Sequence, residues 1–194
     1  MNKAYLTVVV GLGLTLASIP PVIGAASKAR AVAHLAARNG ESAGTATFIA
    51  TSHGVLIELD VKGLTPGPHA VHIHTSGNCD PKVAFTSAGP DLSFEPTKMH
   101  GFLAPHGPHA GDLPNEFAAS DGTLRASVIS NAISLGNGKK SVFDRDGASI
   151  IIHAKADDYV SQPAGNAGDR VACGVIERTV APGARKGGKR KAHT

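Results

Sequence analysis

At 194 residues the chain is long enough for one domain of ordinary size with a real core. It has no Trp and only two Tyr, so nothing in it offers a stacking platform for nucleic-acid bases. The net charge of +4 describes a tail: setting aside Lys3 and the six basic residues from Arg178 onward leaves 12 basic against 15 acidic residues, a mildly acidic domain of −3.

The chain opens with Lys3, an apolar run from Tyr5 to Leu16, and small residues at Gly24-Ala25-Ala26. This order is that of a cleaved secretory signal over 1–26, and Pro20-Pro21 breaks the run too early for a comfortable membrane span. The domain is expected over 27–178, in an exported and periplasmic setting.

Ala31–Ala37, Thr45–Thr51 and Val55–Val61 read as strands, the last two joined by a turn at Ser52-His53-Gly54. Gly63–Pro68 reads as a turn cluster that delivers the chain into Val71–His74. There His72 and His74 alternate with Val71 and Ile73, so the two imidazoles share one strand face. Such a pair is either an exposed feature or half of a transition-metal site. From Asn78 to Asn115 the strand pattern stops, and this long loop holds His100, His106, His109 and Asp112. A metal clamp is a physical means of ordering a loop of that length.

Thr123–Ile129 and Ala148–Ala154 resume the strand pattern, the latter carrying His153. A second loop, Lys155–Gly168, leads to a last strand, Arg170–Ile176. Short strands with Gly-rich turns and no amphipathic helix indicate an all-β sandwich or barrel. Cys79 and Cys173 are the only cysteines. In an exported chain they form a disulfide or, less readily without a CxxC spacing, serve as metal thiolates. The tail over 179–194 lacks core-forming residues and is expected to be disordered. Its cations would contact envelope polyanions electrostatically, without specific nucleic-acid recognition.

Five ordered pieces now carry a resemblance: PGPHAVHIH from Pro66, SAGP from Ser87, HGFLAPHGPHAGDLPN from His100, IIIHAKADDY from Ile150, and GNAGDRVACGVI from Gly165. Together they resemble the exported copper/zinc superoxide dismutases over Ala31–Glu177. The resemblance implies an eight-stranded Greek-key β-barrel, like an immunoglobulin sandwich, with two long functional loops. It implies copper and zinc as cofactors and superoxide as substrate. It makes His72, His74 and His153 copper ligands, and His100, His109 and Asp112 zinc ligands. Asp157 becomes the group linking the two sites, Arg170 the arginine that attracts the anion beside copper, and Lys155 a rim charge. His69 matches a structural histidine, and Cys79 and Cys173 match the intrachain disulfide.

One family residue is missing. A histidine that bridges the two metals normally follows the AG(G/P) turn, whereas here Ser87-Ala88-Gly89-Pro90 runs into Asp91-Leu92-Ser93-Phe94-Glu95-Pro96. Asp91 or Ser93 therefore falls in the bridging slot. Zinc is left with three protein ligands, a partial and weak site, unless Asp91 reaches the zinc, or both metals, as a carboxylate, or His106 swings in from the loop. The expected activity is copper-dependent dismutation; the alternative is a dismutase-like protein that binds or buffers copper with little turnover.

Overall fold

The computed structural model describes residues 30–179, so the expected leader and nearly all of the expected tail lie outside the described residues. Its strands are β1 (Arg30–Ala37), β2 (Ser42–Thr51), β3 (Gly54–Val61), β4 (Gly67–His69), β5 (Val71–His74), β6 (Glu116–Ala118), β7 (Leu124–Ser130), β8 (Ser149–His153), β9 (Arg170–Val175) and β10 (Glu177–Arg178). All pairings between these strands are antiparallel. The main sheet runs β5-β8-β9-β1-β2-β3-β7, with β10 on β1, and β4 pairs with β6 in a separate ribbon.

That ribbon lies between the two ends of the main path. β4 leads through Ala70 into β5, and β6 leads through a tight turn at Ala119–Thr123 into β7, against which it packs. Counting β4 and β5 as one interrupted strand, and β10 as an extension, gives the expected eight-stranded barrel. The links β3 to β4 and β7 to β8 skip neighbours, the Greek-key pattern.

Alternation places the core. Ala31, Ala33 and Leu35 of β1, and Val55, Ile57, Leu59 and Val61 of β3, point inward and are buried, while Glu58 and Asp60 point out. Gly44 stands beside a bulge in the β1–β2 register, at φ +131, where a Cβ would collide with the Asp60 carbonyl. The reading of Gly63–Pro68 as turn alone is corrected: Gly67–His69 is strand β4, with Pro68 opposite Phe117. The strand is too short for a period to show, and Pro68 has no N–H to advertise it.

Two neighbouring strands do what the site needs. In β5 all four residues are buried, Val71 and Ile73 in the barrel core and His72 and His74 on the opposite face. In β8, Ile150 and Ile152 join the same core. Ile151, opposite His72 in the ladder, joins a second cluster with Phe85, Ala88 and Cys173. His153 follows on that outer side. Three imidazoles thus emerge on one face from a stiff, doubly buried pair of strands.

Candidate metal centre

The free edge of β5 is covered by the long loop. Leu92 donates its amide to the Ile73 carbonyl at 2.8 Å, Ile73 donates to Gly111 at 2.9 Å, and Thr75 donates to Pro90 at 3.0 Å. These bonds create isolated ladder pairs, His74 with Asp91 and His72 with Asp112. Strand-like pairing of two separate loop segments therefore sets Asp91 and Asp112 beside the histidines.

Hydrogen bonds on the outer ring nitrogens fix which lone pairs face inward. His74 Nδ1 donates to the Gly89 carbonyl at 2.8 Å, and His153 Nδ1 to the Gly168 carbonyl at 3.2 Å. His72 Nε2 bonds the Asp157 Oδ2 at 3.0 Å. Among the described residues, His72 Nδ1, His74 Nε2 and His153 Nε2 are then left buried without a hydrogen-bond partner, and ligand atoms of the three rings lie within 4.8 Å of one another. Burial pushes His74 down to about 4, although Asp91 pulls the other way, and it pushes His153 down to about 3. Both rings are neutral at pH 7, the form that ligates a metal.

A second cluster stands beside the first. His109 Nε2 lies 3.3 Å from the Lys98 carbonyl, and Asp112 Oδ2 accepts the amides of Gly101 at 2.7 Å and His109 at 3.0 Å. What remains facing inward is His100 Nδ1, His109 Nδ1, Asp112 Oδ1 and both oxygens of Asp91, again buried without hydrogen-bond partners. Atoms of Asp91, His100, His109 and Asp112 also lie within 4.8 Å of one another. Burial opposes charge on His100, yet Asp112, Asp157 and Asp91 together raise it to about 11.

Asp157 lies behind both clusters, its Oδ2 3.0 Å from His72 Nε2 and 3.0 Å from His100 Nε2. The Asn115 side chain clamps the Asp157 backbone, accepting its N–H at 2.8 Å and donating to its carbonyl at 2.8 Å. Those three side chains could themselves be taken for a metal group. The His72–Asp157 contact is an aligned hydrogen bond, whereas the His100–Asp157 contact is close without one.

The remaining candidates separate clearly. Arg170, half-buried on β9, donates to the Phe85 carbonyl at 2.7 Å and the Gly89 carbonyl at 2.8 Å. Cys79 and Cys173 are disulfide-bonded with Cα atoms 5.6 Å apart, which excludes the thiolate alternative. His69 is buried, its ring nitrogens 2.6 and 2.7 Å from the carbonyls of His153 and Thr65, a structural placement. Of the residues offered for the missing donor, Asp91 is in the site. Ser93 is outside, bonding the Glu95 carbonyl at 2.9 Å, and His106 is exposed. Sequence reasoning did not single out Gln162, whose side chain accepts the His100 amide at 3.0 Å and donates to its carbonyl at 2.8 Å. No spacing rule ties residues so far apart.

The family model for copper/zinc superoxide dismutase matches residues 42–176. The chain belongs to the copper/zinc superoxide dismutase family. It is 46% identical over 149 residues to a Cu-Zn superoxide dismutase of Caulobacter vibrioides, covering 76% of this chain and 85% of that protein. It is 45% identical over 150 residues to Cu-Zn superoxide dismutase 2 of Aquifex aeolicus, covering 76% and 86%. Among solved structures, the superoxide dismutase-like protein of Bacillus subtilis superposes with a TM-score of 0.70 at 36% identity, covering 74% of this chain and 96% of that one. The family's two metals match the two clusters in kind: three imidazoles suit copper, and a mixed imidazole and carboxylate set suits zinc. The unpartnered inward atoms of both clusters fit such cations.

Proposed function

We propose that the protein dismutes superoxide, with copper held by His72, His74 and His153 and zinc held by His100, His109, Asp112 and Asp91. The observation that carries this reading is the convergence of three buried imidazole lone pairs with no other partner. Bound copper supplies the one-electron chemistry by which two superoxide anions and two protons become dioxygen and hydrogen peroxide. The chain's own residues do the rest. Arg170, fixed by two carbonyls, presents a positive charge that draws a small anion toward the histidine face. Lys155 is exposed, its stem against Gly168, and adds charge near the rim. Asp157 holds the His72 ring in orientation through a hydrogen bond and places its charge 3.0 Å from the His100 ring.

A cell-envelope setting fits the leader-like residues 1–26 and the disulfide, since such bonds persist in oxidising compartments. The boundaries proposed are a cleaved signal over 1–26, the dismutase domain over 27–178 and the basic tail over 179–194. Truncation after Ala181 is expected to abolish salt-sensitive retention on an anionic matrix and leave turnover intact; equal retention of both forms at low salt would rule out the tail's role.

The second reading is a copper-binding or copper-buffering protein. It is favoured by the absence of the bridging histidine and by likeness to a Bacillus subtilis protein described only as superoxide dismutase-like, 43% identical over 128 residues. A turnover assay on the copper-loaded protein separates the two. Rates far above free copper establish the enzyme; tight copper with no such rate establishes the store.

A further inference from the structure

The Asp91 carboxylate sits between the two clusters, with its oxygens turned to opposite sides. Oδ1 lies 3.3 Å from His74 Nε2 and 3.6 Å from His72 Nδ1. Oδ2 lies 3.0 Å from His100 Nδ1 and 3.9 Å from His109 Nδ1. Two ligand atoms at about 2.1 Å from one tetrahedral ion are separated by roughly 3.4 Å, so these spacings bracket those of a shared coordination shell.

The carboxylate is buried, 6% exposed, and neither oxygen has a hydrogen-bond partner. Its closest approach, to His100, lacks hydrogen-bond alignment. Within the metal-free chain the His100 ring, 3.0 Å from Oδ2, offers this carboxylate positive charge, and a buried carboxylate is costly unless cations face it. Its backbone is not free to turn away, because the Pro90 carbonyl is bonded to Thr75 and the Leu92 amide to Ile73.

We infer that Asp91, whose atoms group with His100, His109 and Asp112, is a shared ligand that bridges the two metal sites through its carboxylate, Oδ2 within that second cluster and Oδ1 toward His72 and His74 of the first. The inference rests on the proposed identity of those clusters as copper and zinc sites. A shared anion couples its two partners, and the coupling is reciprocal: zinc at one oxygen changes the electron density offered by the other. Ser93 cannot take this place, since its hydroxyl is engaged locally with Glu95.

The test reads the Cu(II) spectrum, by electron paramagnetic resonance and visible absorption, while zinc is added to the full-length copper-loaded protein. In the wild type, zinc is expected to shift the copper signal at one equivalent. Asp91→Asn and Asp91→Ala should still bind copper, lose the zinc-induced shift, and lose roughly 10–100-fold in zinc affinity by chelator competition. Asp91→His should restore both, since an imidazole also offers two donors.

A zinc-induced shift that persists in Asp91→Asn, where Asp157 is intact, assigns the coupling to Asp157 and overturns the bridge. Lost zinc affinity with an unaltered copper spectrum makes Asp91 a ligand of zinc alone, which also overturns it. If the variants fail to fold, the wild type decides: bound zinc with no change in the copper signal is contrary. No superoxide enters these measurements, so a protein that shows the coupling but no turnover keeps the bridge and loses the enzyme reading.

Discussion

Arg170 and His74 share one acceptor: the Gly89 carbonyl takes the Arg170 Nη2 at 2.8 Å and the His74 Nδ1 at 2.8 Å. The cation that would attract the substrate and a ring that would hold the metal are therefore positioned by one loop atom. Position 89 has a φ of +76, and a Cβ there would press on the Thr75 hydroxyl at 2.5 Å, so glycine is required where the two converge.

This arrangement predicts the behaviour of Arg170 variants. Arg170→Ala should keep its copper and lose activity by about tenfold or more, with a flatter dependence on ionic strength, because electrostatic steering contributes on the order of 10–1000-fold to encounter. Arg170→Lys should recover only part, since an ammonium cannot span the Phe85 and Gly89 carbonyls as a guanidinium fork does. Stopped-flow rates at several salt concentrations check this; full activity in Arg170→Ala would contradict the assignment.

The disulfide supports the same loop. Cys79 and Cys173 are separated by 94 residues in sequence, and chain-entropy arguments put the stabilisation from closing such a loop at about 4.7 kcal/mol. Both cysteines pack with Phe85, whose carbonyl holds Arg170 and whose φ of 60 is left-handed for a bulky residue. The double substitution to serine should lower the denaturation midpoint substantially and reduce turnover beyond any loss of copper. A midpoint unchanged within error would exclude a stabilising role.

The metal-free protein should show a domed pH dependence of stability. His74 and His153 are depressed by burial, to about 4 and about 3, against 6.5 for an ordinary histidine. Between about pH 3 and 6.5 the unfolded chain therefore binds more protons, and stability falls as pH drops through that range. Asp91 and Asp157, desolvated yet held well below the usual carboxylate range chiefly by His100, add to the acid loss once pH falls under their ordinary value of 3.8. His100 acts oppositely. Raised to about 11, it contributes fully below pH 6.5, and that contribution is lost as pH rises toward 11. Urea midpoints with chelator present should peak near pH 6.5, and a steady rise from pH 6.5 to 9 would refute the scheme.

Much of this was legible in the residues. Period-two alternation gave β3, β5, β7 and the common face of His72 and His74 opposite Val71 and Ile73, because those strands are long enough or buried enough to show it. β4 and β6 were not legible, three residues each with no period, one carrying Pro68. The residues that gather in the two clusters were named by the motif resemblance. The choice between Asp91 and Ser93 was not, because it depends on where the loop docks on the β5 edge, a pairing between Leu92 and Ile73 that no local pattern encodes. Gln162 was invisible for the same reason, its contact with His100 spanning 62 residues.

The central claim is that copper at His72, His74 and His153 carries out dismutation, and one paired measurement tests it: copper content and superoxide turnover on the same samples of wild type and His153→Ala. The wild type should hold one copper at this cluster and turn over superoxide far faster than an equal amount of free copper. His153→Ala should lose both together, since two imidazoles on β5 alone leave the set incomplete. Tightly bound copper in the wild type with turnover no faster than free copper would contradict the account.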